Sequence, residues 1–429
     1  MSQTKRSVYA NALWGLITRI SHYVKRFPEL IRDPVYRSSS FLSLGSVFSI
    51  GAGFLFWLVA ARSYSVQEVG VATALISALN LVYFAAKLGF DNALIRFFPS
   101  EDKAKVLNTC LSVTVVGSFL VGLLFILVSP YVGFASSSLG SFNFGIFFIA
   151  LACTQSMVFI LSNAFIALRK SELFFLQNVV LAARIPLLIP LAILGTFGIF
   201  GAWGVSFFIT AVVSFAFVAK YAKVNFRIDK DFFRTSLRFS WWNYIAELFR
   251  KGPLLILPIM ILAMVGPANA AYYYIVSSIA NVLFIIPDAL STSLFVEGSH
   301  GESLRANAKK ALIAAFALLV PAVAVAYLFG GVLLGLFGPN YVQAIDILRP
   351  LALSSFFIAI YYIFVPIQNV RMRVESIALL NLVGFVLLLG LSYFFILRFN
   401  VVGVGYAWFI TYAIIALITV GYAKWQHWI

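Results

Sequence analysis

Charge is what this chain has least of: 11% of its 429 residues are Asp, Glu, Lys or Arg, less than half the roughly 25% usual in soluble domains. With 62% hydrophobic residues beside that figure, a soluble protein built round a single core is excluded. Cysteine and histidine are also scarce. Cys110 and Cys153 fall inside apolar runs, while His22, His300 and His427 lie far apart among loops and tails. Neither a disulfide framework nor a metal-ligand cluster follows. Acidic residues number 15 against 31 basic ones, giving a formal charge of +16. In a soluble chain that excess would point to nucleic acid; against so apolar a background it points to a membrane, and no nucleic-acid partner is expected.

Long apolar runs are what the sequence does have. A helix needs about 20 apolar residues to cross roughly 30 Å of hydrocarbon at 1.5 Å per residue. Twelve runs qualify, the first six near residues 38–61, 69–90, 106–128, 143–167, 173–195 and 198–219, and the second six near 241–265, 271–296, 311–330, 346–367, 376–397 and 402–423. The seventh is the most interrupted, with Glu247, Arg250 and Lys251 in its first third. Helices are expected because lipid cannot satisfy open backbone groups, and a β-barrel is disfavoured because the runs are continuous instead of short and alternating. The fold class expected is an all-α polytopic membrane protein with twelve transmembrane helices.

The basic residues test that count. With an even number of spans, the termini and every second loop should share the Lys/Arg-rich cytoplasmic side. Twenty-five of the 31 basic residues fall there, and only Arg62, Arg349 and Arg398 on the other side. Arg184, Arg250 and Lys251 lie within spans. Both termini are therefore expected in the cytoplasm, in a multi-pass protein of the cell membrane. The tail over residues 1–37 carries Leu13, Trp14, Ile17 and Ile20 at helical spacing beside Arg19, Lys25 and Arg26. It can lie on anionic headgroups, or simply fix topology by its charge; no cleavage signal is evident.

An internal repeat runs through the chain. Ser77 and Asn80 return as Ser278 and Asn281, and Phe208, Ile209 and Thr210 return as Phe409, Ile410 and Thr411, each 201 residues later. Glu172 and Asn178 return as Glu375 and Asn381 at an offset of 203. Six spans per copy give both copies the same orientation. The expected architecture is two parallel six-helix bundles, residues 38–219 and 241–429, related by a pseudo-twofold axis along the membrane normal and joined by a basic cytoplasmic linker at 220–240. Such a pair can rock about a central cleft, which is alternating-access geometry. A duplicated scaffold without transport is the competing reading.

Ionisable groups at bilayer depth are costly, at least ~2.5 to 3.5 kcal/mol each on insertion scales, and so face protein or a watery cavity. Arg184 falls near the midplane of the fifth run, just before Pro186 and Pro190, which break the helical hydrogen-bond ladder. It is either a substrate contact or a structural cation on carbonyls freed by the break. Glu247, Arg250 and Lys251 follow Trp241 and Trp242 at spacings that put them on adjoining helix faces. They line a cavity or snorkel to the interface. In a cavity the two cations would hold a phosphate-bearing ligand, and the carboxylate would take up a coupling Na+ or H+. Lys87 and Asp288 occupy equivalent repeat positions, 201 apart, either as a closing pair or as separate interfacial charges. Asn80 and Asn281, near mid-depth, line the cleft or bond neighbouring helices.

The stretch VAARSYSVQEVGVATALISALNLVYFAAKLGFDNALIRFFP, with Arg62, Gly70, Gly89, Arg96 and Pro99, resembles the first-repeat pattern of Wzx-type polysaccharide flippases, within the multidrug, oligosaccharidyl-lipid and polysaccharide exporter superfamily. The motif covers the first two spans and the topology extends over all twelve. The resemblance implies a V-shaped pair of bundles that moves a polyprenyl-phosphate-linked glycan between leaflets, with the first, second, seventh and eighth spans lining the cleft. Membrane lipids and polysaccharide-assembly enzymes are the partners it implies. On that analogy the substrate-binding candidates are Arg250, Lys251, Arg184, Asn80 and Asn281, and the ion-coupling candidates are Glu247 and Asp288. The first span has no basic residue within it, so a phosphate site there is not expected. No cofactor is called for beyond a coupling Na+ or H+. Two rivals stand beside this reading. One is a cation-coupled drug or metabolite exporter of the same superfamily. The other is a membrane-bound glycosyltransferase or polysaccharide polymerase, which would need catalytic groups on a sizeable loop; the loops near 129–142 and 331–345 carry no ionisable Asp, Glu, His, Lys or Arg, and no enzymatic activity is expected.

Overall fold

The computed structural model describes residues 34–132, 142–299, 304–371 and 373–426. The amphipathic stretch expected between Leu13 and Arg26 lies outside the described residues. Among those described, every regular element is helical. The first half consists of α1 (Pro34–Ser63), α2 (Val66–Ala86), α3 (Phe90–Phe97), α4 (Lys103–Val128), α5 (Phe142–Ala167), α6 (Ser171–Leu181), α7 (Arg184–Leu187) and α8 (Thr196–Val218). The second consists of α9 (Lys230–Val265), α10 (Pro267–Ser299), α11 (Leu304–Leu328), α12 (Gly330–Gly335), α13 (Ile345–Val370), α14 (Val374–Phe399) and α15 (Val402–Trp425). Boundaries follow local chemistry. At the start of α2, Ser65 Oγ accepts from the Glu68 amide while Glu68 Oε2 accepts from the Ser65 amide at 2.8 Å, a reciprocal cap. Asp102 and Asp229 cap α4 and α9 in the simpler way, each accepting from the amide three residues on.

Eleven helices among the described residues are long and apolar enough to cross a membrane. Their outer faces carry unbroken apolar stripes, such as Leu120, Leu124 and Leu127 on α4, all more than half exposed. That pattern is stable against lipid and not against water, and the chain is a multi-pass membrane protein. Of the twelve runs expected, the fifth is the one that forms no continuous helix. It divides into α6, α7 and a 3-10 turn at Ala192–Leu194, the break falling where Arg184, Pro186 and Pro190 cluster. Each proline removes an amide donor and clashes with the preceding turn; here two of them four residues apart coincide with the break, whereas α9 accommodates Pro253 and Pro258 without one. The seventh helix departs in the opposite sense. At 36 residues α9 is about 54 Å long, beginning at Lys230, well before the apolar run at Trp241.

Packing repeats between the halves. In the first, α1 packs on α6, α5 on α8, and α2 on both α4 and α5; in the second, α9 packs on α14, α13 on α15, and α10 on both α11 and α13. The halves meet chiefly where α2 lies against α9 and α10. Accordingly α2 is the most enclosed span, with 72% of its apolar window buried, against 22% for the peripheral α11. One large apolar core runs across this seam, taking Phe56, Leu75 and Trp203 from the first half and Tyr273, Phe337 and Leu348 from the second.

Candidate functional site

A cavity of about 350 Å³ opens at the seam, lined from the first half by α2 and α5 and from the second by α9, α10, α13 and α15. Four of the five substrate-binding candidates meet in it: Asn80, Arg250, Lys251 and Asn281. The two asparagines line it from α2 and α10. From Val265 back to Lys251 the helix rises about 21 Å, and both cations reach the cavity from there. Arg250 and Tyr362 line the cavity together, and no carboxylate among the described residues comes within ion-pair distance of Arg250.

Lys251 belongs to a line of alternating charge. Asp91 Oδ2 accepts from Lys87 Nζ at 2.6 Å, Lys87 Nζ also donates to Glu247 Oε2 at 2.8 Å, and Glu247 Oε1 lies 2.6 Å from Lys251 Nζ. Lys87 is 4% exposed at its side chain, Asp91 14% and Glu247 20%. The Lys87–Glu247 bond crosses from the α2–α3 corner to α9, pinning the halves together below the cavity. Buried charges are tolerated because each has an opposite neighbour and the four sum to zero. Lys87 also sits 4.5 Å from the centre of the Phe84 ring.

Lys87 is thus partnered by Asp91 and Glu247, and not by Asp288. Equivalence within a repeat would not by itself bring positions 87 and 288 into contact. Asp288 is exposed on α10 and takes no part in the ion line.

Arg184 lies outside the cavity. Its guanidinium stacks 4.3 Å from the Trp203 ring centre and 5.2 Å from that of Phe56, and Nε has no hydrogen-bond partner. The carbonyls freed by the helix break are taken by other groups: Tyr64 Oη donates to Leu188 O and Ser206 Oγ to Leu181 O, each at 2.7 Å. Arg184 nevertheless touches the cavity wall indirectly. Trp203 Nε1 donates to Gln155 Oε1 at 3.0 Å, and Gln155 Nε2 donates to Asn80 Oδ1 at 3.0 Å. This Asn80–Gln155–Trp203 chain fixes the amide of Asn80, leaving its NH2 free to face the cavity.

Sequence reasoning missed Gln155 and the aromatic lining, Tyr83, Phe84, Phe159, Phe284, Tyr362, Trp408 and Tyr412. Gln155 left a faint signal as a lone amide in an apolar run. The first span, expected in the lining, stands back from it, and the fourth, tenth and twelfth take part instead.

The residues of the motif over 59–99 also find places. Arg62 Nε donates to Leu336 O at 2.6 Å. Gly70 lies so close to α10 that a Cβ there would stand 1.7 Å from Pro267 O, and Gly89, at φ +81°, would put a Cβ 2.5 Å from Ser240 Cβ. All three are points where the first half touches the second.

No protein-family model matches the chain. A Shigella flexneri protein provisionally named an O-antigen transporter is 25% identical over 218 residues, which cover 48% of this chain and 52% of that protein; the chain thus spans about half the length of the curated relative it matches. Among solved structures, the lipid II flippase MurJ in an inward closed conformation superposes with a TM-score of 0.69 at 15% identity, covering 89% of this chain and 87% of MurJ. An inward-facing multidrug resistance MATE family transporter of the MOP superfamily gives 0.63 at 16% identity, covering 89% and 94%. A MOP superfamily transporter from Pyrococcus furiosus gives 0.58 at 16%, covering 92% and 96%. The resemblance read from the first two spans is matched by these findings: this protein is similar to an O-antigen transporter in sequence over about half its length, and has the fold of the MOP superfamily transporters.

Proposed function

We propose that this chain is an alternating-access carrier, not an enzyme, that flips a polyprenyl-linked oligosaccharide across the cytoplasmic membrane. The observation that carries the reading is the seam cavity: Arg250 and Lys251 both line it, Lys251 is paired with Glu247, which also bonds Lys87, and Arg250 has no carboxylate partner among the described residues. An anionic group entering beside Arg250 gains a charge-assisted partner that nothing else claims. The similarity to an O-antigen transporter and the MurJ-like fold support the same substrate class.

In this reading residues 38–219 and 241–429 are two six-helix bundles, the broken fifth segment counting as a twelfth crossing, and 220–240 is the cytoplasmic linker. The repeated helix pairings support it. The charge distribution places both termini in the cytoplasm, which sets the Lys87–Glu247 line on the inner side of the cavity and the Arg62–Leu336 contact on the outer. The diphosphate binds at Arg250 and Lys251, Asn80 and Asn281 bond the first sugar, and the lipid tail stays in the bilayer. A cavity of about 350 Å³ holds only this head of the substrate, so passage of a longer glycan requires the halves to part. A coupling Na+ or H+ acts at Glu247: neutralising that carboxylate releases Lys87 and frees the inner seam. Asp288, exposed on α10, is a secondary candidate.

The aromatic walls give a second reading some support, since flat organic cations stack on such rings and MATE transporters share the fold. Reconstitution of the full chain with fluorescent lipid-linked oligosaccharide separates the two. Wild type should exchange the lipid between leaflets, and Arg250→Ala should slow exchange at least tenfold; undiminished exchange in that variant removes the anion site. Export of an aromatic cation with no exchange of the glycolipid would favour the drug carrier.

A further inference from the structure

A second cavity, about 500 Å³, lies away from the seam between α11, α13 and α15. Its walls are aliphatic and aromatic, including Ile363, Phe364 and Ile367, and its mouth carries Arg305 and Lys309, one turn apart on α11. Neither cation has a carboxylate within ion-pair distance among the described residues, whereas the next residue, Lys310, shares a different pocket with Glu297. At the same end the Gln368 side chain, from a residue 2% exposed, lines the groove with Oε1 lacking any hydrogen-bond partner. Gln426, also lining it, has Nε2 buried and unpartnered while Oε1 accepts from Arg371 at 3.3 Å.

Any apolar groove facing lipid is filled by acyl chains, so hydrophobic walls alone select nothing. The mouth does. Two cations with no ion pair among the described residues ask for phosphate, and a buried amide oxygen without a partner asks for a hydroxyl donor, since leaving such an acceptor bare is costly. We infer that this groove is a binding site for one acidic phospholipid, with the phosphate at Arg305 and Lys309, a headgroup glycerol hydroxyl on Gln368 Oε1, and an acyl chain along α13 and α15. The volume suits a phospholipid chain and not a polyprenyl tail, which is several times longer. The groove shares its walls with the seam cavity: α13 turns Tyr362 to one and Ile363 to the other, and α15 turns Tyr412 to one and Thr419 to the other. The bound lipid therefore braces the wall behind the transport cavity.

The test is lipid retention by the full-length protein in detergent, titrated with phosphatidylglycerol, phosphatidylcholine, polyprenyl phosphate or inorganic phosphate and read by native mass spectrometry. One phosphatidylglycerol should be held at least tenfold more tightly than phosphatidylcholine. Each basic side chain near an anionic headgroup contributes about fivefold, so Arg305→Gln with Lys309→Gln should weaken retention about thirtyfold. Gln368→Leu should weaken it about three- to tenfold. Ala423→Trp, which fills the groove and leaves every charge in place, should abolish it even if the double variant folds poorly. Equal retention of the two phospholipids, or unchanged retention in Ala423→Trp, overturns the inference. Displacement of phosphatidylglycerol by stoichiometric polyprenyl phosphate, or equal affinity for inorganic phosphate, also overturns it by assigning the site to another ligand.

Discussion

The seam between the halves is fastened differently at its two ends. At the Arg62 end the contacts are steric and apolar: Gly70 admits the backbone of Pro267, Phe54 meets Phe337 edge-on at 5.2 Å, and Trp57 lies 4.6 Å from Tyr274. At the other end, Asp91, Lys87, Glu247 and Lys251 form a line of ion pairs. Close packing fails when any atom is displaced, and it has no chemical trigger. A line of buried charges can be undone by one proton or one competing ion, because removing a single charge leaves its neighbours uncompensated. In the proposed carrier, regulated opening therefore belongs to the ionic end and the fitted seal to the glycine end.

Breaking the ionic end should have the largest effect. Lys87→Met strands Asp91 and leaves Glu247 with Lys251 alone, both carboxylates being less than a quarter exposed, and should weaken the closed form by about 3 kcal/mol. A cysteine placed at Asn281 should then label faster from the Lys87 side. The double variant Lys87→Met with Asp91→Leu should recover part of the loss, since it removes the stranded carboxylate and leaves Glu247 paired with Lys251. Equal labelling in wild type and Lys87→Met would show that the line does not hold this end shut.

The next test lies at the glycine end. Gly70→Ala sets a methyl against a carbonyl oxygen that cannot move without its helix, so the cost should reach about 3 kcal/mol, the upper range for overpacking. Thermal unfolding of the purified protein measures it, and labelling should now increase from the Arg62 side. Arg62→Gln at the same end should cost less, about 1 kcal/mol, because the bond it makes to Leu336 O is charge-assisted but exposed. If Gly70→Ala opened the Lys87 side instead, the division of labour between the ends would be reversed.

Much of this was legible beforehand, for a physical reason. Lipid penalises polarity, so Asn80, Asn281, Arg250 and Lys251 stand out against an apolar background, and all four share one cavity. Pro186 and Pro190 mark the break in the fifth run. Aromatic residues carry no such contrast. Among 44 Phe, 19 Tyr and 8 Trp, nothing local separates Tyr362 and Trp408, which line the cavity, from Phe208, which faces lipid. The partner of Lys87 was hidden for another reason. Repeat arithmetic aligns equivalent positions, whereas contacts depend on how α9 crosses α2, and that crossing is set by the whole seam.

The smallest expected effect sharpens the comparison most, because it repeats the chemistry of the ionic end in water. Lys105 on α4 lies 3.7 Å from both Glu101 and Asp229, the latter capping α9, so this pair too joins the halves. Its members are 34%, 46% and 41% exposed. Water screens them and competes for each hydrogen bond, while long side chains lose entropy on pairing. Lys105→Gln should therefore cost no more than about 0.5 kcal/mol and leave Asn281→Cys labelling unchanged, with any residual effect vanishing in high salt. The Lys87 variant should keep its effect at the same salt. Were the two lysines to prove equally salt-sensitive, burial would not be what gives the inner line its strength, and the seam would be held at that end by its aromatic contacts, Phe90 on Phe233 and Phe97 on Phe232.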